Sequence, residues 1–166
     1  MNISPGVRQF LLPSLTPAFV IRLISVALAA YLIFGYVCTP LRLQGASMEP
    51  TYHDGSVNFC WRLAYLFSEP QRYDVVLVRF AGTKVMLLKR IVALEGETVE
   101  FRQGVLFVNG YPLDEPYVIY SGNWNLPPRI VRQGNVYLVG DNREMPIEQH
   151  DFGQTAKTRI QGTLLW

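Results

Sequence analysis

In the stretch KVMLLKRIVALEGETVEFRQGVLFVNG, residues 84–110, three short runs rich in Val, Ile, Leu and Phe are separated by turn residues. Runs of this length and composition are typical of β-strands. Gly104 and the pair Asn109-Gly110 each predict a tight turn, so residues 99–113 are expected to form hairpins. The pattern continues on both sides, in SVNFCW, YDVVLVRF, NVYLVG and RIQGTLLW. The chain is therefore predicted to be mainly β, with a folded or barrel-like sheet.

The composition suits one modest domain with a hydrophobic core. The net charge is only +2 at pH 7 and no run of Lys and Arg occurs, so nothing predicts binding to nucleic acid. Cys38 and Cys60 lie far apart with no CxxC motif, and only His53 and His150 could join them, so no zinc site is predicted. Both cysteines are interpreted as small hydrophobic residues. Residues 120–129, YSGNWNLPPR, are expected to form one long irregular loop.

An apolar run near the N-terminus, AFVIRLISVALAAYLIFGYVC at residues 18–38, contains a single charge, Arg22. About 20 apolar residues are enough for a helix to cross a bilayer, and an arginine near its end can reach the headgroups. A buried core helix would carry polar residues at helical spacing. A cleaved leader would end in small residues, where this run has Tyr36 and Val37. The run is therefore predicted to be a retained membrane anchor.

The distribution of charge around this run predicts its orientation. Arg8 and Arg22 lie on its N-terminal side, no acidic residue precedes position 49, and Arg42 opposes the bias weakly. The positive-inside rule then places the N-terminus in the cytoplasm. We expect three parts: a short cytoplasmic N-terminus at 1–17, a transmembrane anchor at 18–38 and an extracytoplasmic β-rich domain at 39–166, at the inner or plasma membrane.

A serine lies in the turn-rich stretch GASMEPTYHDG, residues 45–55, shortly after the anchor. Such a turn can be an ordinary loop, or it can aim the Ser47 hydroxyl at a substrate if a partner takes its proton. His53 is awkwardly placed in the same loop, and His150 belongs to a polar stretch. The remaining candidates are the lysines of the chain, Lys84, Lys89 and Lys157.

Lys89 is the most unusual of these lysines. In strand alternation it shares a face with Val85, Leu87, Ile91 and Ala93, and a lysine on such a face is desolvated, which lowers its pKa and makes it a possible general base. Alternatively, Lys89 lies at a strand edge and reaches water beside Arg90. Alternation by itself favours this second interpretation, because strand boundaries are the least certain part of a sequence-based prediction.

Five segments in order resemble the conserved boxes of the type I signal peptidase family: GASMEPT, YDVV at 73–76, KRIVALEGETVE at 89–100, VNG at 108–110 and GDNR at 140–143. The similarity runs from the anchor to about residue 153. It is greater to the bacterial branch, which uses a Ser-Lys dyad, than to the endoplasmic-reticulum branch, which uses Ser-His. The resemblance implies a membrane-anchored serine endopeptidase that removes signal peptides from exported preproteins.

The resemblance also implies roles for individual residues. Ser47 would be the nucleophile and Lys89 the general base, with Met48 packed near the lysine. The Ser47 N–H would contribute to the oxyanion hole. Gly45 occupies the position at which some members add a hydroxyl donor, so the second donor is open. Three consecutive residues would support the dyad: Asp141, Asn142 and Arg143.

After GDNR the chain departs from the family pattern GDNR-x-x-S-x-D-S-R. It reads GDNREMPIEQHDFG, with Pro146 in place of the serine that contacts the lysine, Glu148 for the aspartate, Gln149 for the next serine and His150 for the arginine. Either Glu148 replaces the shorter acid, or this part of the site is reorganised.

By resemblance, the substrates are signal peptides with small residues, typically alanine, at the first and third positions before the cut, and no metal or cofactor takes part. A bilayer is the second expected partner. Two alternatives stay open. One is a specialised processing peptidase of the conjugative-transfer or mitochondrial inner-membrane type. The other is a non-catalytic, anchored β-domain that binds peptides.

Overall fold

The computed structural model describes residues 16–79 and 86–165 of the chain. Its first element is helix α1, Pro17–Leu32, which continues as a π-helical segment, Ile33–Val37. Thr16 caps the helix by accepting a hydrogen bond from the Phe19 N–H at 3.3 Å. Pro17 occupies the first helical position, where its missing N–H is not needed.

The two helical segments together resemble a membrane span in length and composition. Pro17–Val37 comprises 21 residues with a mean hydropathy of 2.2, and none of its most apolar stretch is buried. The predicted span, 18–38, agrees with this helix to within one residue at each end. Cys38 already belongs to the first strand, so the helical segment ends at Val37.

The larger of two sheets has seven strands, all paired antiparallel, in the order β1-β2-β11-β3-β4-β9-β10. The strands are β1 (Cys38–Arg42), β2 (Val57–Trp61), β3 (Val75–Arg79), β4 (Met86–Ala93), β9 (Asn135–Val139), β10 (Gly153–Ala156) and β11 (Ile160–Leu164). Strand β4 lies between β3 and β9, well inside the sheet.

The smaller sheet has the order β7-β6-β5-β8 and is also antiparallel. Its strands are β5 (Thr98–Arg102), β6 (Val105–Val108), β7 (Tyr111–Pro112) and β8 (Leu126–Ile130). Both of its hairpin turns have two consecutive residues with positive φ, Gln103-Gly104 and Asn109-Gly110. Turns of this kind match the twist of the flanking strands, which explains the preference for glycine at their second position.

The main hydrophobic core joins the two sheets. It comprises Val92, Ala93, Val99, Phe101, Leu106, Val108, Trp124, Val131, Tyr137 and Val139. A second cluster, Val76, Val78, Ile91, Val136 and Leu138, covers the other face of the large sheet. Because adjacent residues of a strand point to opposite faces, β4 is buried on both sides. This double burial determines the environment of Lys89.

The prediction of a mainly β chain is confirmed, and the seven apolar runs singled out in the sequence correspond to β2, β3, β4, β5, β6, β9 and β11. Val85 and Lys84 lie outside the described residues. The prediction of a long loop at 120–129 is wrong at its end, because Leu126–Ile130 forms β8 despite two prolines. β8 lies at the edge of its sheet, and an edge strand tolerates residues that lack a backbone donor.

Gly162 allows β11 to lie close to β2. Its φ is +151°, and a Cβ at this position would lie 2.3 Å from the Trp61 carbonyl oxygen and 2.9 Å from Cys60 Sγ. For Gly162→Ala we expect a lower midpoint of thermal unfolding, because overpacking costs roughly 1–3 kcal/mol in addition to backbone strain. Gly110→Ala is the matched control, since Gly110 has a φ of +82° with no heavy atom near the added Cβ. Equal losses in the two variants would contradict this account of the β2–β11 contact.

Candidate active site

The loop that carries Ser47 leaves β1 and is held from two sides. The Asn142 N–H donates to the Ser47 carbonyl oxygen at 3.0 Å, and Asn142 Nδ2 donates to the Ala46 carbonyl oxygen at 3.1 Å. On the other side, the Gly45 N–H donates to Asp54 Oδ1 at 2.9 Å. Asn142 therefore fixes the backbone on which the serine stands.

Lys89 meets this serine from the middle of the large sheet. It is paired with Val76 across β3 and β4, it is only 3% exposed, and its Nζ lies 2.7 Å from Ser47 Oγ. Burial lowers the pKa of Lys89 to about 8, although the negative charges of Asp151 and Asp141 partly oppose the shift. Of the two environments that the sequence left open for this lysine, the structure has the desolvated one. A neutral amine at this distance can accept the hydroxyl proton.

A cleft of about 400 Å³ opens beside Ser47. One side is formed by the end of β1 and the loop that follows it, the other by Met86, Leu87 and Leu88 at the start of β4. Met48 lines the cleft and is almost completely buried. The cleft next to the hydroxyl therefore has both polar and apolar walls, and two stretches of backbone bound it.

Asp141 ties the serine loop to β4. Arg90 donates to its carboxylate twice, from Nε to Oδ1 at 2.9 Å and from Nη2 to Oδ2 at 2.6 Å. Thr51, in the loop after Ser47, donates its hydroxyl to the same Oδ2 at 2.6 Å. Asp141 is fully buried. Its charge is thus neutralised by Arg90. Arg90 follows Lys89 in β4 and points to the opposite face of the strand.

Arg143 is held in the same way by a residue that sequence reasoning missed. Its Nε donates to the Gly140 carbonyl oxygen at 2.8 Å, and its two terminal nitrogens donate to the Glu115 carboxylate at 3.1 and 2.6 Å. Tyr117 donates its hydroxyl to Glu115 at 2.7 Å and places its ring 3.9 Å from the Arg90 guanidinium. Glu115 lies in an unremarkable polar loop, so no sequence pattern pointed to it.

Comparison with known proteins identifies the family. The family described as "Signal peptidase, peptidase S26" matches residues 17–166. The chain belongs to this family. Relatives include a probable signal peptidase I-1 from Synechocystis (32% identical, covering 88% of this chain and 79% of the relative) and a signal peptidase I from Bacillus amyloliquefaciens (33% identical, covering 85% and 78%). A crystal structure of a signal peptidase I from Enterococcus faecalis V583 is 28% identical and covers 58% of this chain and 97% of its own, with a TM-score of 0.48.

The predicted family, the serine endopeptidase class and the cleavage of signal peptides are confirmed at this level by the relatives, which cover most of the chain. Names of relatives do not assign a role to any single residue. The roles expected for Ser47, Lys89, Gly45, Met48, Asp141, Asn142, Arg143 and Glu148 therefore stay predictions, now with a geometry on which each can be judged.

The stretch that departs from the signal peptidase pattern is reorganised. Glu148 lies in the short 3-10 helix Ile147–Gln149 with its side chain exposed, and within residues 16–79 and 86–165 it forms no ion pair or side-chain hydrogen bond. The expectation that Glu148 replaces the shorter acid beside Lys89 is thus not met by its position. Asp151 is the carboxylate whose charge acts most strongly on Lys89, and the two residues line the same small cavity of about 110 Å³.

Removal of the Glu115 charge tests the support of Arg143. Glu115→Gln leaves a guanidinium that is 2% exposed without its carboxylate, and the loss of one partner of a buried ion pair costs about 3–5 kcal/mol. We expect a clear fall in the midpoint of thermal unfolding of the full chain in detergent. Glu144→Gln is the matched control, because Glu144 is exposed and neighbours Arg143 in sequence. A similar midpoint for both variants would contradict the structural role of the pair.

The buried amine predicts a stability that changes with pH in a defined direction. The pKa of Lys89 is lower in the folded chain, about 8, than in the unfolded chain, so folding is penalised wherever the unfolded lysine is charged. The penalty is complete below pH 8 and disappears as the pH rises above the unfolded value. Lys89→Met is therefore expected to be more stable than the wild type at pH 7, by up to roughly 3 kcal/mol.

The measurement is chemical unfolding of the wild type and Lys89→Met between about pH 7 and pH 10, over which the difference should shrink. Lys157→Met serves as the control, since Lys157 is partly exposed and pairs with Glu69 at 3.1 Å, so it has no such penalty to lose. A gain for Lys89→Met that is constant with pH would mean that the packing of methionine, and not the charge, is responsible.

Proposed function

We propose that this chain cleaves signal peptides with Ser47 as nucleophile and Lys89 as general base. The observation that carries the assignment is the 2.7 Å separation of Lys89 Nζ and Ser47 Oγ, with the amine buried on a face of β4 and its pKa lowered to about 8. A serine is a weak nucleophile until a neighbouring base accepts its proton. No other lysine of the described residues approaches Ser47.

The chemistry follows from these two groups. Neutral Lys89 takes the proton of Ser47 as Oγ attacks the scissile carbonyl carbon. The resulting ammonium gives that proton to the departing amine, which becomes the N-terminus of the mature protein, and an ester to Ser47 remains. Lys89, neutral again, then takes a proton from water as the water attacks the ester. It gives this proton to Ser47 Oγ while the signal peptide leaves as a carboxylic acid.

The oxyanion formed in each step needs a donor. The Ser47 N–H donates no hydrogen bond within residues 16–79 and 86–165, so it is available. Gly45 has no hydroxyl, and its N–H is already bound to Asp54, so we assign Gly45 to the support of the loop and not to the oxyanion hole. A preorganised donor at this position is worth on the order of a hundredfold in rate.

The substrate would lie extended in the cleft. The lining of the cleft includes Leu41 to Gly45 on one side and Met86 to Leu88 on the other, and such stretches of backbone can bind a peptide by strand addition. Alternate side chains of the peptide would then point into the apolar surface near Met48 and Leu77. The expected preference for small residues at the first and third positions before the cut is part of this proposal.

The position of the domain relative to the bilayer is part of the proposal. Helix α1 and its π-helical extension would be the anchor, with the N-terminus cytoplasmic and residues from 39 onward extracytoplasmic. The Arg62 N–H donates to the Val37 carbonyl oxygen at 2.9 Å, which holds the turn after β2 at the end of the helix. Leu66 and Phe67 in this turn are exposed, Phe67 by 95%, and would rest on the lipid surface.

Catalysis by the dyad is tested with the full chain in detergent and a preprotein that has an Ala-x-Ala site. Ser47→Ala and Lys89→Ala should remain folded and lose nearly all cleavage, the second because a general base contributes about 10²–10⁴-fold. For the wild type, kcat/KM should rise with pH and level off above about 8, since only the neutral amine is active.

The matched controls are Ser68→Ala and Lys157→Ala, which remove the same side chains from exposed or partly exposed positions away from Ser47. Both should cleave at the wild-type rate. Retention of most of the rate by Lys89→Ala would overturn the dyad. Absence of cleavage in the wild type and in every variant would instead favour a domain that binds peptides without cutting them.

A further inference from the structure

His150 occupies the position where the family pattern has an arginine, and it makes a contact that an arginine cannot make. Its Nε2 accepts a hydrogen bond from the Gly140 N–H at 3.0 Å, and the side chain is 5% exposed. An imidazole accepts through Nε2 only when it is neutral and carries its proton on Nδ1. An arginine has donors only, so the exchange changes the kind of contact and not merely its strength.

The surroundings of His150 keep the ring neutral. It packs edge-on against Trp124, with ring centroids 4.9 Å apart, and lies near Phe152. The charged groups that act on it are both positive, Lys89 from β4 and Arg143 from the loop after β9. Burial, followed by these two charges, lowers the pKa of His150 to about 3. The acceptor is therefore present throughout the pH range in which Lys89 titrates.

Gly140 transmits this contact to the serine. A Cβ at Gly140 would lie 2.2 Å from the Ser47 carbonyl oxygen and 2.5 Å from His150 Nε2, so this glycine is enclosed between the two. The same carbonyl oxygen of Ser47 accepts the hydrogen bond from Asn142 N–H at 3.0 Å. The three layers, His150, the 140–142 backbone and the Ser47 peptide, are thus in direct contact.

We propose that His150 is a positioning residue for Ser47. The neutral imidazole accepts the hydrogen bond from the Gly140 N–H, fixes the Gly140 peptide and thereby fixes the backbone of the nucleophile. The inference rests on the proposed function for its kinetic consequence. It explains how the site can form without the arginine of the family pattern, because His150 Nε2 supports the Ser47 loop through the Gly140 peptide. His150 touches neither the substrate nor the reacting atoms in this account.

Two substitutions separate the acceptor from the volume of the ring. His150→Gln places a carbonyl oxygen as many bonds from Cα as Nε2, whereas His150→Phe keeps a ring against Trp124 and removes the acceptor. With the full chain in detergent, we expect His150→Phe to lower kcat tenfold to a hundredfold with little change in KM, because small displacements of a nucleophile cost about this much. His150→Gln should keep kcat close to the wild type.

A wild-type kcat in His150→Phe would overturn the proposal, and so would equal losses in both variants, since the acceptor would then not matter. The shape of the pH profile offers a further control. Both variants should keep the midpoint near pH 8 that reflects Lys89. Absence of cleavage by the wild type itself would refute the proposed function, which is a different outcome from failure of His150 alone.

The contact can also be tested without cleavage or substitution of His150. In the wild-type chain labelled uniformly with ¹⁵N, His150 should show the Nδ1–H tautomer unchanged from about pH 5 to pH 9, with coupling between Nε2 and the Gly140 amide nitrogen. The chain has one other histidine, the exposed His53, and the variant His53→Gln assigns the two sets of signals. Titration of His150 in this range, or the opposite tautomer, would overturn the proposal even if His150→Phe fails to fold.

Discussion

The structure around the candidate site depends on the desolvation of one amine. One lysine and two arginines of the described residues are buried: Lys89, Arg90 and Arg143. Arg90 and Arg143 each have a carboxylate that accepts two hydrogen bonds, whereas Lys89 has none in ion-pair contact within residues 16–79 and 86–165. A guanidinium stays charged in any protein environment, but an ammonium that lacks a partner can lose its proton. Of these three side chains, only Lys89 is thus left free to be neutral.

The two paired arginines have a second consequence. Arg90 and Asp141 join β4 to the loop of Ser47, and Arg143 and Glu115 hold the loop after β9 under the segment that carries Tyr117. Their charges cancel locally, so they fix geometry without placing an unpaired carboxylate against the amine. Because the ion pairs are buried, their positions are well defined, and the hydroxyl and the amine are held within hydrogen-bond distance by the surrounding backbone.

Much of the fold follows from local patterns. Alternating apolar runs separated by glycine-containing turns predicted the strands of both sheets, because such runs bury one or both faces of a pleated chain. The strands that were missed, β1, β8 and β10, lie at sheet edges. β1 and β8 contain proline, which local rules assign to loops, and only the neighbouring strand supplies the hydrogen bonds that make them strands. Edges are decided by pairing partners that are distant in sequence.

The sequence by itself determined the kind of chain and the two groups of its chemistry. An apolar run long enough for a bilayer, β-strand runs, and a serine and a lysine in motifs of a known family are all local properties. Whether Lys89 is solvated was decided only by the tertiary structure, since that depends on what β3, β9 and the serine loop place around it. The roles open to Glu115, Asp151 and His150 likewise appear only in three dimensions. Glu115 acts through an ion pair with Arg143, Asp151 through its charge on Lys89, and His150 through a hydrogen bond from Gly140. Only the packed chain brings these groups together.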